Sequence, residues 1–316
     1  MTEMNNPLVA LVRTAKLQAA YTKAKIRARH PRSPKHRLPV RFCVGCGRSG
    51  TTILGKMLAK NPSACYFYEP YHLWSIIDPR LDVTGLFSNP SNAGWFFEAS
   101  DLTPAAKKRF DELIGRVGNA HTHRAVIEKL PHNACRLGWI DAAEPGARVV
   151  HIVRDGLDVV RSIERLASNP TYTLAFRPEY NQWWGLRDAK WNAMFREGPA
   201  RGYFAQEVRE LKEHAQRGAY EWLLSLGEVD RSRDLYGERI LEITYPQLVN
   251  RTGEICEQIA DHFGLDAMGT WIDRASSMIS DERKNDGPPL RLPSGMMQAF
   301  NSYQERHGFA GRAQSL

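Results

Sequence analysis

Five short, nearly continuous apolar runs recur along the chain: Val40–Val44, Cys65–Tyr68, Ala125–Glu128, Arg148–Val153 and Arg239–Thr244. Each is too short for a buried helix and lacks the alternation of a half-exposed strand, so each predicts a strand covered on both faces. Between them apolar residues recur at helical spacing over Gly50–Lys60, Asn133–Ala143, Gly156–Leu166 and Pro246–Phe263. Buried strands alternating with helices predict an α/β fold in three layers, a parallel sheet of about five strands flanked by helices. Ligands of such sheets bind beyond the carboxyl ends of the strands.

Two stretches break the alternation. Residues 71–124 hold Pro, Gly and Asn clusters around Trp74 and Trp95-Phe96-Phe97, and residues 168–203 hold Pro170, Pro178, Trp183, Trp184 and Trp191. Both are too long and too aromatic for simple connections. They are expected to build a ligand pocket and its lid, with some of their aromatics plugging the core instead. The organisation expected is a basic tail or amphipathic helix over residues 1–38, then one domain over 39–316 carrying these two insertions.

The chain has 316 residues and a formal net charge of +8, which favours anionic ligands. No helix-turn-helix, zinc finger or aromatic sheet signature accompanies the charge, so nucleic acid is not expected as a partner. The five cysteines are an odd number without a disulfide framework, and Cys43 and Cys46 lack a second pair at zinc spacing, so no metal site is expected. The first forty residues set nine Lys and Arg against Glu3 alone, with Leu8, Leu11, Val12, Ala15 and Ala19 as a thin apolar stripe. They read either as a solvated tail or as a helix lying on an anionic membrane. With no apolar run of membrane-spanning length and no signal-peptide pattern, the expected location is the cytoplasm, peripheral to the inner membrane face if the tail docks.

The chemistry is concentrated after the first strand, in Gly45-Cys46-Gly47-Arg48-Ser49-Gly50-Thr51-Thr52. A Gly-rich turn between a strand and a helix aims backbone N–H groups at one point, where the helix dipole adds positive potential. The loop nearly fits the P-loop NTPase pattern, but Thr51 stands at the lysine position and the cation is Arg48.

Gly47 to Thr52 resembles the 5′-phosphosulfate loop of sulfotransferases that use PAPS (3′-phosphoadenosine 5′-phosphosulfate). The block Arg148 to Ser162 is similar to that family's 3′-phosphate motif, a strand ending in Arg154 with Ser162 eight residues later. The resemblance covers roughly Val40 to Gly264. It implies a P-loop-like fold, transfer of a sulfuryl group to a hydroxyl, PAPS as donor with PAP as product, and no metal. Arg48, Ser49, Gly50, Thr51 and Thr52 then hold the 5′ end of the donor, and Arg154 and Ser162 the 3′-phosphate. Trp191 resembles a position near the adenine, and Tyr245 follows the fifth strand in a segment similar to the family's Arg-Tyr-Glu-Asp-Leu step.

Glu69 ends the second strand and resembles the base of the carbohydrate and protein-tyrosine branches. Lys129 ends the third and resembles the lysine at the bridging oxygen. His132 is the rival base, but it lies three residues after Lys129, out of register with the Lys-Thr-His arrangement of the cytosolic branch. Arg283 and Lys284 resemble the family's closing loop, although its Gly-x-Trp-Arg pattern is absent. The acceptor expected is a sugar, glycolipid or small metabolite, with a tyrosine side chain second. A P-loop kinase is the competing enzyme class, but it would want a loop lysine and a Walker-B acid, and the fourth strand ends in Arg154. A non-catalytic basic protein leaves both motifs unexplained. The start at Met1 and the lack of an anchor fit a bacterial enzyme.

Overall fold

The computed structural model describes residues 7–29, 36–117, 121–169, 179–279 and 286–316. The expected strands all form: β1 (Val40–Val44), β2 (Ala64–Tyr68), β3 (Ala125–Lys129), β4 (Arg148–Val153) and β5 (Ile240–Thr244). They pair in parallel in the order β2-β3-β1-β4-β5. Val40, Phe42, Cys43 and Val44 of β1 are all fully buried, as a central parallel strand requires. Helices cover both faces, and one apolar cluster lies on each: Phe42, Trp74, Phe110 and Trp139 on one side, Leu54, Ile152, Ile259 and Phe263 on the other.

Register decides which residues become neighbours at the carboxyl edge. Tyr68 and Cys43 both pair with Lys129, and Val153 pairs with Thr244. The residues that follow these strands therefore gather in a row: Glu69, Leu130, the Gly45–Gly50 loop, Arg154 and Tyr245.

The helices that matter for the site are α1 (Pro7–Arg29), α2 (Thr51–Leu58), α3 (Tyr71–Ile77), α4 (Gly156–Ala167), α5 (Ala189–Glu197), α6 (His214–Arg231), α7 (Thr252–Phe263) and α8 (Ser294–Arg306). The helix expected over Pro246–Phe263 is two helices, Tyr245–Asn250 and α7, with Arg251 between them. The Thr244 hydroxyl caps the first by accepting from Gln247 N–H, and the Thr252 hydroxyl turns back to the Leu248 and Val249 carbonyls at the break. The helix expected over Asn133–Ala143 begins as a tight 3-10 turn, Pro131–Arg136, before Leu137–Ala143. A third apolar cluster, built on Trp184, Trp191, Tyr220, Trp222 and Phe300, joins the second insertion to α6 and α8.

Candidate active site

The Gly-rich loop takes a backbone path that side chains would block. Gly50, at φ 97°, is the cap of α2, and a Cβ there would lie 2.5 Å from the Tyr245 ring. A Cβ on Gly47 would lie 2.4 Å from the Trp183 ring. Arg48 itself sits at φ 71°, a conformation that costs a non-glycine residue free energy and is typical of ligand loops. The Ser49 hydroxyl is buried and has no hydrogen-bond partner among the described residues. An unpartnered hydroxyl inside a closely built cradle fits a bound phosphate or sulfate, because leaving it unpaired is costly.

The two sequence motifs meet here. Arg48 Nε donates to Ser162 Oγ at 3.0 Å, so a side chain of the loop touches one two turns into α4. Arg154 is largely buried, donates to Asp158 Oδ2 at 3.1 Å and stacks over the Tyr245 ring at 4.6 Å. The start of α4 is clamped by α8: Gln304, fully buried, accepts from Gly156 N–H at 2.8 Å and donates to Asp155 Oδ1 at 2.9 Å. Asp155 in turn caps α4 by accepting from Leu157 N–H.

On the other side of the loop, Lys129 is fully buried and its Nζ lies 2.5 Å from Glu69 Oε1 and 4.0 Å from the centre of the Tyr68 ring. Burial pulls the ammonium below its ordinary range and the Glu69 carboxylate opposes that fall. Glu69 also sits at positive φ, 39°, held there by hydrogen bonds from its N–H to the Lys129 carbonyl and from Tyr71 N–H to its own carbonyl.

A cavity of about 470 Å³ opens on this row. Arg48, Thr51, Thr52 and Glu69 line it, and both insertions contribute, through Val83, Thr84 and Leu86 and through Tyr180, Gln182 and Trp183. His132 is on the wall, stacked between Tyr71 and Trp95 at 5.6 and 5.5 Å. Burial holds its imidazole neutral, well below its usual range, with Arg136 and Lys190 adding to the effect. Trp183 is fixed by two residues that line the cavity with it: its Nε1 donates to Glu221 at 2.8 Å, and Lys190 pairs with the same carboxylate at 2.7 Å while lying 3.9 Å from the centre of the Trp183 ring.

Glu69, Arg48, Lys129, Ser49, Gly50, Thr51, Thr52, Arg154, Ser162 and Tyr245 are thus brought together. Trp191 is not on the cavity wall; it is buried in the third cluster against Trp184 and Tyr220, with Arg217 over its ring. Arg283 and Lys284 lie outside the described residues. Lys190 and Glu221 were not foreseeable from local sequence, because their partnership forms only when α5 packs on α6.

One buried group makes the site's support sensitive to pH. Glu128, next to Lys129, accepts from Trp74 Nε1 at 2.9 Å and Asn133 Nδ2 at 3.0 Å, and burial raises its carboxyl to about 7. The unfolded chain releases that proton near 4.5. The stabilisation is therefore fully present below the unfolded value and is lost as pH rises through about 7. The linkage is worth up to about 3 kcal/mol. Glu128→Gln removes it, and Asn133 can turn its unpartnered Oδ1 to the new amide. Urea midpoints at pH 5 and 8 will show the variant gaining on the wild type at the higher pH; parallel pH dependences would refute the assignment.

The Sulfotransferase family profile matches residues 39–269. The chain belongs to that family. Among solved structures, this sulfotransferase is similar to STF9 from Mycobacterium avium, at 11% identity, covering 95% of this chain and 86% of that one, with a TM-score of 0.49. The sulfotransferase domain of the Synechococcus PCC 7002 olefin synthase is 17% identical over 86% of this chain and 97% of that one, with a TM-score of 0.47. Mouse SULT7A1, solved with PAP, is 13% identical over 77% of this chain and 64% of that one, with a TM-score of 0.39. No curated protein matches the chain. The family places this sulfotransferase among transferases, and the five-stranded parallel sheet agrees with it.

Proposed function

We propose that this sulfotransferase moves the sulfuryl group of PAPS to a hydroxyl of a sugar, glycolipid or small metabolite, with Glu69 as general base. The observation that carries the reading is the Arg48–Ser162 hydrogen bond, which spans 114 residues and draws the two donor motifs into one site beside the Lys129–Glu69 pair. The donor supplies an activated sulfuryl group on a phosphate leaving group. The loop N–H groups, Ser49 and Arg48 hold the 5′ end, and Arg154 and Ser162 hold the 3′-phosphate. The Glu69 carboxylate accepts the proton of the attacking hydroxyl as the new O–S bond forms. The Lys129 ammonium offsets charge on the leaving oxygen as the old S–O bond breaks. The Lys129–Glu69 contact keeps both groups at one point before substrates bind. A tyrosine side chain is the second acceptor class.

Isothermal titration tests the donor: PAP will bind far more tightly than AMP. Comparable affinity for both would overturn the reading. Turnover with radiolabelled PAPS will survive EDTA essentially unchanged; activity abolished by chelation and restored by Mg would point to a phosphotransferase instead.

A further inference from the structure

The outer face of α1 carries a charged surface outside the donor site. Between Glu3 and Glu69 the chain has no carboxylate. On α1, Lys16, Lys23, Lys25 and Arg29 are exposed, and Val12 and Ile26 stand among them at 51% and 58% exposure. Val12, Lys16, Ala19, Lys23 and Ile26 follow one another at steps of three and four, so they form one stripe, with Arg29 beside it and Lys25 at the border of the inner face, its ammonium 4.9 Å from the centre of the Tyr21 ring. Among the described residues no carboxylate pairs with these four cations. The acids of the turn Asp111–Gly115, on which α1 packs, are engaged elsewhere: Asp111 with Arg37 and Lys107, Glu112 with Arg116.

The inner face of α1 is anchored. Ala24 is buried, Arg27 donates to the Arg116 carbonyl at 3.0 Å, and Tyr21 packs on Phe87 with ring centres 4.8 Å apart and donates to its carbonyl at 3.2 Å. Phe87 belongs to a stiff loop. The buried Asp82 carboxylate accepts from the N–H groups of Thr84, Gly85, Phe87 and Ser88. Val83, Thr84 and Leu86 of the same loop line the cavity.

We propose that the outer face of α1 docks on an anionic lipid bilayer, holding the loop that walls the cavity beneath the helix, about 10 Å from the membrane surface. Lys and Arg near such a surface gain about 1 kcal/mol each from its negative potential. Val12 and Ile26 give the stripe two apolar points to dip below the headgroups. The face has no wide apolar sector, and no helix among the described residues is long and apolar enough to cross a membrane, so the attachment is reversible adsorption governed by charge.

The test is co-sedimentation of the full chain with phosphatidylcholine vesicles, pure or containing about one third phosphatidylglycerol, at low and high salt. Binding is expected only to the anionic vesicles and only at low salt. The combined variant Lys16→Gln, Lys23→Gln, Lys25→Gln, Arg29→Gln is expected to lose partitioning on the order of 1000-fold. PAP affinity unchanged in that variant shows it is folded; should it not fold, the salt and lipid dependence of the wild type still decides. No binding, equal binding to neutral vesicles, or retention by the variant overturns the proposal. So does RNA or heparin stripping the protein from anionic vesicles at equal charge, which would assign the face to a soluble polyanion. Docking is read without turnover, so its failure leaves the donor reading standing.

Discussion

Glu69→Gln will lower kcat by about 100- to 10,000-fold, the usual worth of a positioned general base. The amide keeps the shape of the carboxylate but cannot take the acceptor proton. PAP affinity will stay near the wild-type value, because Glu69 is not among the groups assigned to the donor's two phosphates. His132→Ala is the control. His132 lines the same cavity, so proximity alone does not separate the two residues. What separates them is setting: His132 is packed between two aromatic rings, whereas Glu69 stands beside the lysine at the loop. The His132 variant should therefore lose less than the low end of that range. Steady-state kinetics decide it, and a dead His132→Ala beside an active Glu69→Gln would reverse the assignment and remove the argument for the acceptor class.

Arg154→Ala will collapse the preference for PAP over AMP. Losing a charge-assisted contact costs on the order of 1.5–3 kcal/mol, or roughly 10- to 150-fold in relative affinity. The loss should fall on PAP, since AMP has no 3′-phosphate. Arg154 is stacked on Tyr245 and paired with Asp158, so its guanidinium is already oriented before any ligand arrives. Titration of both nucleotides against wild type and variant gives the ratio directly, and an unchanged ratio would show that the 3′-phosphate is held elsewhere.

The parts of this protein that were legible in the sequence are local ones. The Gly45–Thr52 loop and the Arg154–Ser162 helix each carry their chemistry within a few consecutive residues, so strand, turn and helix signals point to the same place. The central strands were legible because burial on both faces leaves an unbroken apolar run. Helix α6 gave no stripe to read: Gly218 to Leu226 are all buried, so apolar residues surround the axis. The cavity wall was legible only as a region, since Trp183 takes its place through Glu221 and Lys190 on two other helices. Trp191 carries a family-like local pattern, yet it is the packing of α5 against Tyr220 that fixes where its ring goes.

The clamp of Gln304 on Gly156 joins groups 148 residues apart and reaches the helix that bears Ser162. During synthesis the sheet, the Gly-rich loop and Arg154 all leave the ribosome long before that clamp exists. The nascent chain therefore has both sequence motifs yet lacks the contact that fastens the start of α4. Chains cut short before residue 304 would be released with an unlatched site, in a form that proteases and chaperones can tell from the finished enzyme.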